Sequence, residues 1–239
     1  MAARFHSKIQ AGIVAVLVAV IGVFAVLYDG HPNTDVDLHD GGVWVSNARE
    51  SLVAHLNYSS RTLDGGLNPV TTQFDLSQEG NQVLLADQKA ASFKAIDTAT
   101  IKLSDPVAGG MRVAHGANLV LLADADKKKV WAMDYANLGS FSDGSKALLD
   151  KEAPAALAVT PDDHGFVLDA TGAVTRVELG AEQPSTEQVG TFEVTPAKDA
   201  QFSAVGEQPV LLQNGTLYTL KGAFQLEGAD AATRLQLGI

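Results

Sequence analysis

The chain of 239 residues has no cysteine, which excludes disulfide bonds, zinc–thiolate sites and thiol catalysis together. Aromatic residues make up only 6%, too few for the row of exposed rings that a glycan-binding face needs. Basic residues are outnumbered 17 to 28 by acidic ones, and the formal net charge is -11. Such a surface repels phosphate backbones, so nucleic acid is excluded as a partner. The one tight basic cluster, Lys127, Lys128 and Lys129, reads as a solvated hairpin tip. H-E-x-x-H, G-x-S-x-G, P-loop and G-x-G-x-x-G motifs are all missing, and no catalytic, cofactor-binding or metal-ligating set stands out.

One long apolar run is present. Ala11 to Leu27, "AGIVAVLVAVIGVFAVL", is free of charge, and Ile9 and Tyr28 extend it. Seventeen helical residues reach about 25 Å, near the roughly 30 Å of a bilayer core. Arg4 and Lys8 precede the run and Asp29 follows it, which puts the N-terminus in the cytoplasm and the rest outside. The exit "FAVLYDGHPN" lacks the small residues of a signal-peptidase site. The expected layout is therefore a cytoplasmic N-terminus (1–10), a transmembrane signal-anchor (11–28) lying in the lipid bilayer, a polar tether (29–40) and an extracytoplasmic domain (41–239). The localisation this implies is a single-pass protein of the cell membrane.

The exported part repeats a phrase: "GVWVSN", "QVLLAD", "LVLLAD", "GFVLDA" and "PVLLQN", starting at 42, 82, 119, 165 and 209. The spacings of 40, 37, 46 and 44 residues are those of a propeller or solenoid. Each phrase is followed by a polar or glycine-containing turn and a second, alternating run such as "GAVTRVEL". Another short strand precedes most of them. The unit is three or four short antiparallel strands, one blade of an all-β propeller. Continuous "VLL" marks a strand covered on both faces. Trp44 and Trp131 are expected between blades. The stretch from Ser142 to Val159 is the one place that could carry a helical turn, and it reads as an insertion between the third and fourth units. About five blades are visible. They make either a closed five-bladed ring or an incomplete ring of six or seven, because "ADAATRLQLGI" at the end reads as part of another strand.

Candidate polar residues have plain explanations. Asn47, Asp87, Asp124 and Asp169 close the repeated phrases, where turn chemistry favours Asp and Asn. His6, His31, His39, His55, His115 and His164 fall in different places with no ligand-spaced partner. Asp35, Asp37 and Asp40 are close together, but a calcium loop would want Gly at the position of Leu38 and a later bidentate Glu. Thr160 to Gly165, "TPDDHG", is likewise an acidic loop. No cofactor is implied.

The stretch "DLHDGGVWVSNARESLVAHLN" resembles a family of large actinobacterial proteins. These have a cytoplasmic N-terminus, one membrane span, an extracytoplasmic propeller-like region and then fibronectin type III or Ig-like domains. The likeness rests on Asp40, Gly41, Val43, Trp44, Val45 and Asn47, and on the turn Asp97, Thr98, Ala99, Thr100. No fibronectin domain occurs here, so the chain would match only the N-terminal part. The expectation is a non-enzymatic envelope protein that binds an envelope protein or wall polymer through its propeller loops. A competing expectation is part of a polysaccharide-acting fibronectin type III protein.

Overall fold

The computed structural model describes residues 42–235 apart from 88, 90, 91, 108–110, 181, 182 and 230–232. The cytoplasmic segment, the 11–28 span, most of the tether, His6, His31, His39, Asp35, Asp37 and Asp40 lie outside the described residues. Among the described residues no helix is long and apolar enough to cross a membrane.

The fold is all-β and propeller-like, with five small antiparallel sheets following one another along the chain. The first sheet contains β1 (Val43–Asn47), β2 (Leu52–Asn57) and β3 (Thr62–Leu67). The second contains β4 (Phe74–Glu79), β5 (Gln82–Asp87), β6 (Ser92–Asp97) and β7 (Lys102–Leu103), and the third β8 (Arg112–His115), β9 (Leu119–Asp124) and β10 (Lys129–Asp134). The fourth is built from β11 (Pro154–Val159), β12 (Gly165–Asp169), β13 (Ala173–Glu178) and β14 (Ser185–Thr191). The fifth is built from β15 (Gln201–Val205), β16 (Gln208–Gln213), β17 (Thr216–Thr219) and β18 (Gly222–Gln225). Strand neighbours in sequence are neighbours in each sheet.

Period-two geometry turns this order into a core. Successive side chains of a strand point to opposite faces. Val83 and Leu85 of β5 pack with Trp44 and Val53 of the first sheet, while Leu84 between them packs with Val120, Leu122 and Trp131 of the third. Leu119, Leu121 and Ala123 of β9 meet Val167 and Val177 of the fourth sheet. Phe166 and Leu168 of β12 meet Ala204 and Leu211 of the fifth. All six residues of β9 are buried, which explains an uninterrupted apolar phrase where an exposed strand would alternate. Gly165 opens β12 because a Cβ there would lie 2.7 Å from Leu119 Cδ2 and 3.1 Å from Val177 O.

Both tryptophans are buried between sheets as expected. The Trp131 indole N–H donates to Ser145 O at 3.0 Å, and its ring meets Phe141 edge-on. The stretch from Ser142 to Val159 carries no helix. Its last six residues are β11, and Val130 of β10 exchanges backbone hydrogen bonds with Leu148 and Leu149. The single helical turns, of 3-10 type, are Ala48–Glu50 and Tyr135–Ser140 among the described residues. Asn47 and Asp134 cap them by accepting from Glu50 N and Ala136 N.

Because Leu121 is wholly buried between two sheets, Leu121→Ala should cost about 2–5 kcal/mol in denaturant unfolding. Leu63→Ala, on the exposed face of the first sheet, should cost under about 1 kcal/mol.

Candidate functional site

The polar residues that close the repeated phrases are each used by their own turn. Asp124 Oδ1 accepts Lys127 N at 2.9 Å, and its carboxylate pairs with Lys127 Nζ at 3.3 Å. Lys127 also reaches Asp143 at 2.9 Å. This small ion network sits on the β9–β10 hairpin tip, where Lys128 takes φ 56. Hydrogen bonds and the Lys127 charge hold the Asp124 and Asp143 carboxyls below the usual carboxylate range. Asp169 Oδ1 accepts Thr171 N, Thr171 Oγ1 and Ala173 N. Asp87 accepts Lys89 N at 2.9 Å. These carboxylates are turn locks.

The histidines divide. His55 Nδ1 lies 2.6 Å from Asp64 Oδ1, and Asn57 Nδ2 donates to the other Asp64 oxygen at 3.2 Å. The hydrogen bond from His55 is the main cause of the lowered Asp64 pKa. His164 belongs to the β11–β12 loop, where its N–H donates to Thr160 Oγ1. In the same loop Asp163, at φ 62, accepts from Asn118 N, Leu119 N and Asn118 Nδ2, all within 2.9 Å, and so ties the third sheet to the fourth.

His115 is placed differently. Its Nε2 is 2.9 Å from Ser77 Oγ on the neighbouring sheet, and its Nδ1 lies 3.2 Å from Gly116 O. A carbonyl only accepts, so Nδ1 carries the proton and Nε2 accepts from the Ser77 hydroxyl. Burial holds the imidazole below its ordinary pKa, so the neutral form is favoured. Nearby, Tyr135 crosses from the third sheet to the second: its hydroxyl donates to Val83 O at 2.9 Å and accepts from Val83 N at 3.3 Å. Burial pushes this phenol up to about 12. Ser77 with a neutral, oriented imidazole has the first two parts of an activated hydroxyl. Acyl-transfer catalysis also needs donors aimed at an oxyanion and a substrate pocket. The Ser77–His115 hydrogen bond ties β4 to β8.

Surface clefts occur among the described residues, and two of them bear on the phrase-closing aspartates. One of about 540 Å³ is lined by Ser51, Val70, Thr71, Thr72, Gln73, Asp87 and Lys89 and is polar. Another of about 360 Å³ lies between the third and fourth sheets, where Leu148, Leu149, Asp150, Lys151 and Glu152 face Val167, Asp169, Thr175 and Gln188. No group of three metal-ligating side chains occurs among the described residues. The pairs Ser77–His115 and Asn118–Asp163 are not legible in the sequence. Their members stand 38 and 45 residues apart, about one repeat, and only the stacking of sheets brings them together.

No protein-family model matches the chain, and no curated protein matches it. Solved structures do. The dihydro-heme d1 dehydrogenase NirN, in complex with DHE, is similar at a TM-score of 0.55 and 14% identity, over 85% of this chain and 47% of that one. Apo AztD from Citrobacter koseri is similar at 0.44 and 10%, over 78% and 56%. KlAtg21, in complex with the coiled coil of AgAtg16, is similar at 0.49 and 10%, over 76% and 61%. The chain spans about half the length of NirN. At such identity the likeness to NirN speaks for the propeller-like fold alone.

His115 gives a pH test. Its folded pKa lies below the ordinary 6.5, so the unfolded chain takes up the proton first. The stability this contributes is complete above about pH 6.5 and is lost as pH falls through the folded value. Thermal unfolding of the parent should therefore weaken from pH 7 to pH 5 more steeply than that of His115→Gln. Equal slopes would show that burial of His115 carries no such cost.

Proposed function

We propose that this chain is a membrane-anchored, extracytoplasmic binding or scaffold module of the bacterial cell envelope, its propeller loops presented to an envelope protein or wall polymer. The observation that carries this reading is the uncharged run from Ala11 to Leu27, with basic residues before it and an all-β domain after it. The turn-locked carboxylates support a non-enzymatic role, since the residues that would be expected to converge on chemistry are bonded into local turns. The resemblance to the N-terminal part of actinobacterial fibronectin type III proteins, carried by Trp44 and its neighbours, supports the envelope setting.

A second reading, a polysaccharide-acting protein, draws on one feature. Asp150, Glu152 and Asp169 line the cleft between the third and fourth sheets, and glycoside hydrolysis uses paired carboxylates. Asp169 is engaged by three donors of its own turn, which leaves Asp150 and Glu152 as the pair to test.

The cysteine-free chain suits a topology experiment. In intact host cells a membrane-impermeant maleimide should label Lys128→Cys, at the exposed hairpin tip, and should label Ala3→Cys only after lysis. The reverse pattern would sink the anchored reading. Hydrolysis of wall polysaccharide that Asp150→Asn or Glu152→Gln abolishes would favour the second reading over the first.

A further inference from the structure

β11 lies against both β8 and β15, so the first strands of the third, fourth and fifth sheets are neighbours. A cleft of about 260 Å³ opens at the end where these strands begin. Arg112 opens β8, Ala155 and Ala156 stand at the start of β11, and Ala200 comes just before β15. Each start pairs near the end of a repeated phrase: Arg112 with Ala123, Pro154 with Asp169 and Gln201 with Leu212. The cleft thus lies where the phrases close.

Its floor is made of small apolar side chains. In a regular strand adjacent residues point to opposite faces, so Ala155 and Ala156 could not both line one cleft. β11 is bulged at this point. Pro154 pairs with Asp169 and Ala156 with Leu168, the very next residue back, which leaves Ala155 as the extra one. Both alanines then line the cleft, and so do Leu168 and Leu211 of the buried core.

The rim carries charge of one sign. Arg112 and Lys198 are exposed on it, and no carboxylate is among the lining residues, Asp199 included. Lys198 sits in a turn closed by Ala200 N, which donates to Ala197 O at 3.1 Å. Gln213 of β16 pins that turn by accepting from Ala197 N at 2.7 Å. Among the described residues neither cation has a side-chain hydrogen bond or ion pair, whereas Lys127 and Arg176 are paired with carboxylates. The phrase-closing carboxylates Asp124 and Asp169 are engaged by their own turns. In a chain of net charge -11 the cleft is a local reversal of sign, and apolar walls concentrate its field.

We propose that this cleft binds a small organic carboxylate, its head on Arg112 and Lys198 and its short apolar body on the alanines. The guanidinium fork matches the two oxygens of a carboxylate. The lining holds no hydroxyl or side-chain amide, so an anion with more oxygens finds too few donors. The apolar floor gains from covering carbon and offers an inorganic anion nothing. The volume falls below the roughly 300–1,000 Å³ of sites for drug-sized ligands, which suits a body of a few carbons. A free acid and the C-terminus of a peptide share this chemistry.

A saturation-transfer NMR titration of the full chain in non-ionic detergent at low salt tests this, with butanoate as the probe. Butanoate should bind saturably, and butanamide, of the same shape without the charge, at least about tenfold more weakly. Arg112→Gln and Lys198→Gln should each weaken butanoate binding about fivefold or more. Lys221→Gln, which removes the same charge elsewhere, should leave it unchanged. Ala170→Leu, at an exposed position on the same cleft, should weaken binding by filling space while the unfolding temperature holds. Absence of saturation, equal binding of butanamide, or displacement of butanoate by equimolar inorganic phosphate overturns the proposal. So does a loss in Lys221→Gln as large as in the other two charge variants, or an Ala170→Leu variant that binds as the parent does. N-acetyl-alanyl-alanine separates the two sources: binding tighter than that of butanoate assigns the site to a peptide C-terminus, and weaker binding assigns it to a free acid.

Discussion

The structure depends on one constraint: the second strand of a blade stacked between two others must be apolar on both faces, because a sheet lies against each of them. β9 shows it most fully, with Leu119, Leu121 and Ala123 turned to the fourth sheet and Val120 and Leu122 to the second. No blade buries enough apolar surface alone to hold itself together, and stacking neighbours supplies the rest. Stability then passes along the chain as a sum of nearest-neighbour interfaces, as in other repeat folds. The polar ties across those interfaces, Tyr135 to Val83 and Asp163 to Asn118, add register to what apolar packing leaves free to slide.

The same constraint decided what could be read from the residues. A doubly covered strand leaves a phrase that recurs near every forty residues, so the all-β class, the hairpin turns and the placing of Trp44 and Trp131 are legible in the sequence. The stretch from Ser142 to Val159 was not. "KALLDKEAPAALAV" is rich in good helix formers, but Pro154 and the demand for a first strand beside β12 override that propensity. Asp87, Asp124 and Asp169 were legible as turn residues because their partners lie within four positions. His115 was not legible, because its partner Ser77 belongs to the previous repeat and no local spacing announces it.

The pattern of charge separates the interior from the ends. The chain carries a net charge of -11, and where a strand meets water broadly, as in β14, it carries mostly polar residues. An uncharged, exposed sheet face is therefore an exception to the rule the rest of the chain obeys. Val43, Val45 and Leu63 break it on the first sheet and Phe224 on the fifth. Faces of this kind are costly to leave in water.

Edge strands carry the same argument to the backbone. An inner edge that is exposed offers a row of N–H and C=O groups to any strand that reaches it. Here the groups nearest the start of β1 are met by the Gln78 amide, which accepts from Trp44 N and donates to Gly42 O. A side chain can satisfy one such pair, at Gly42 and Trp44.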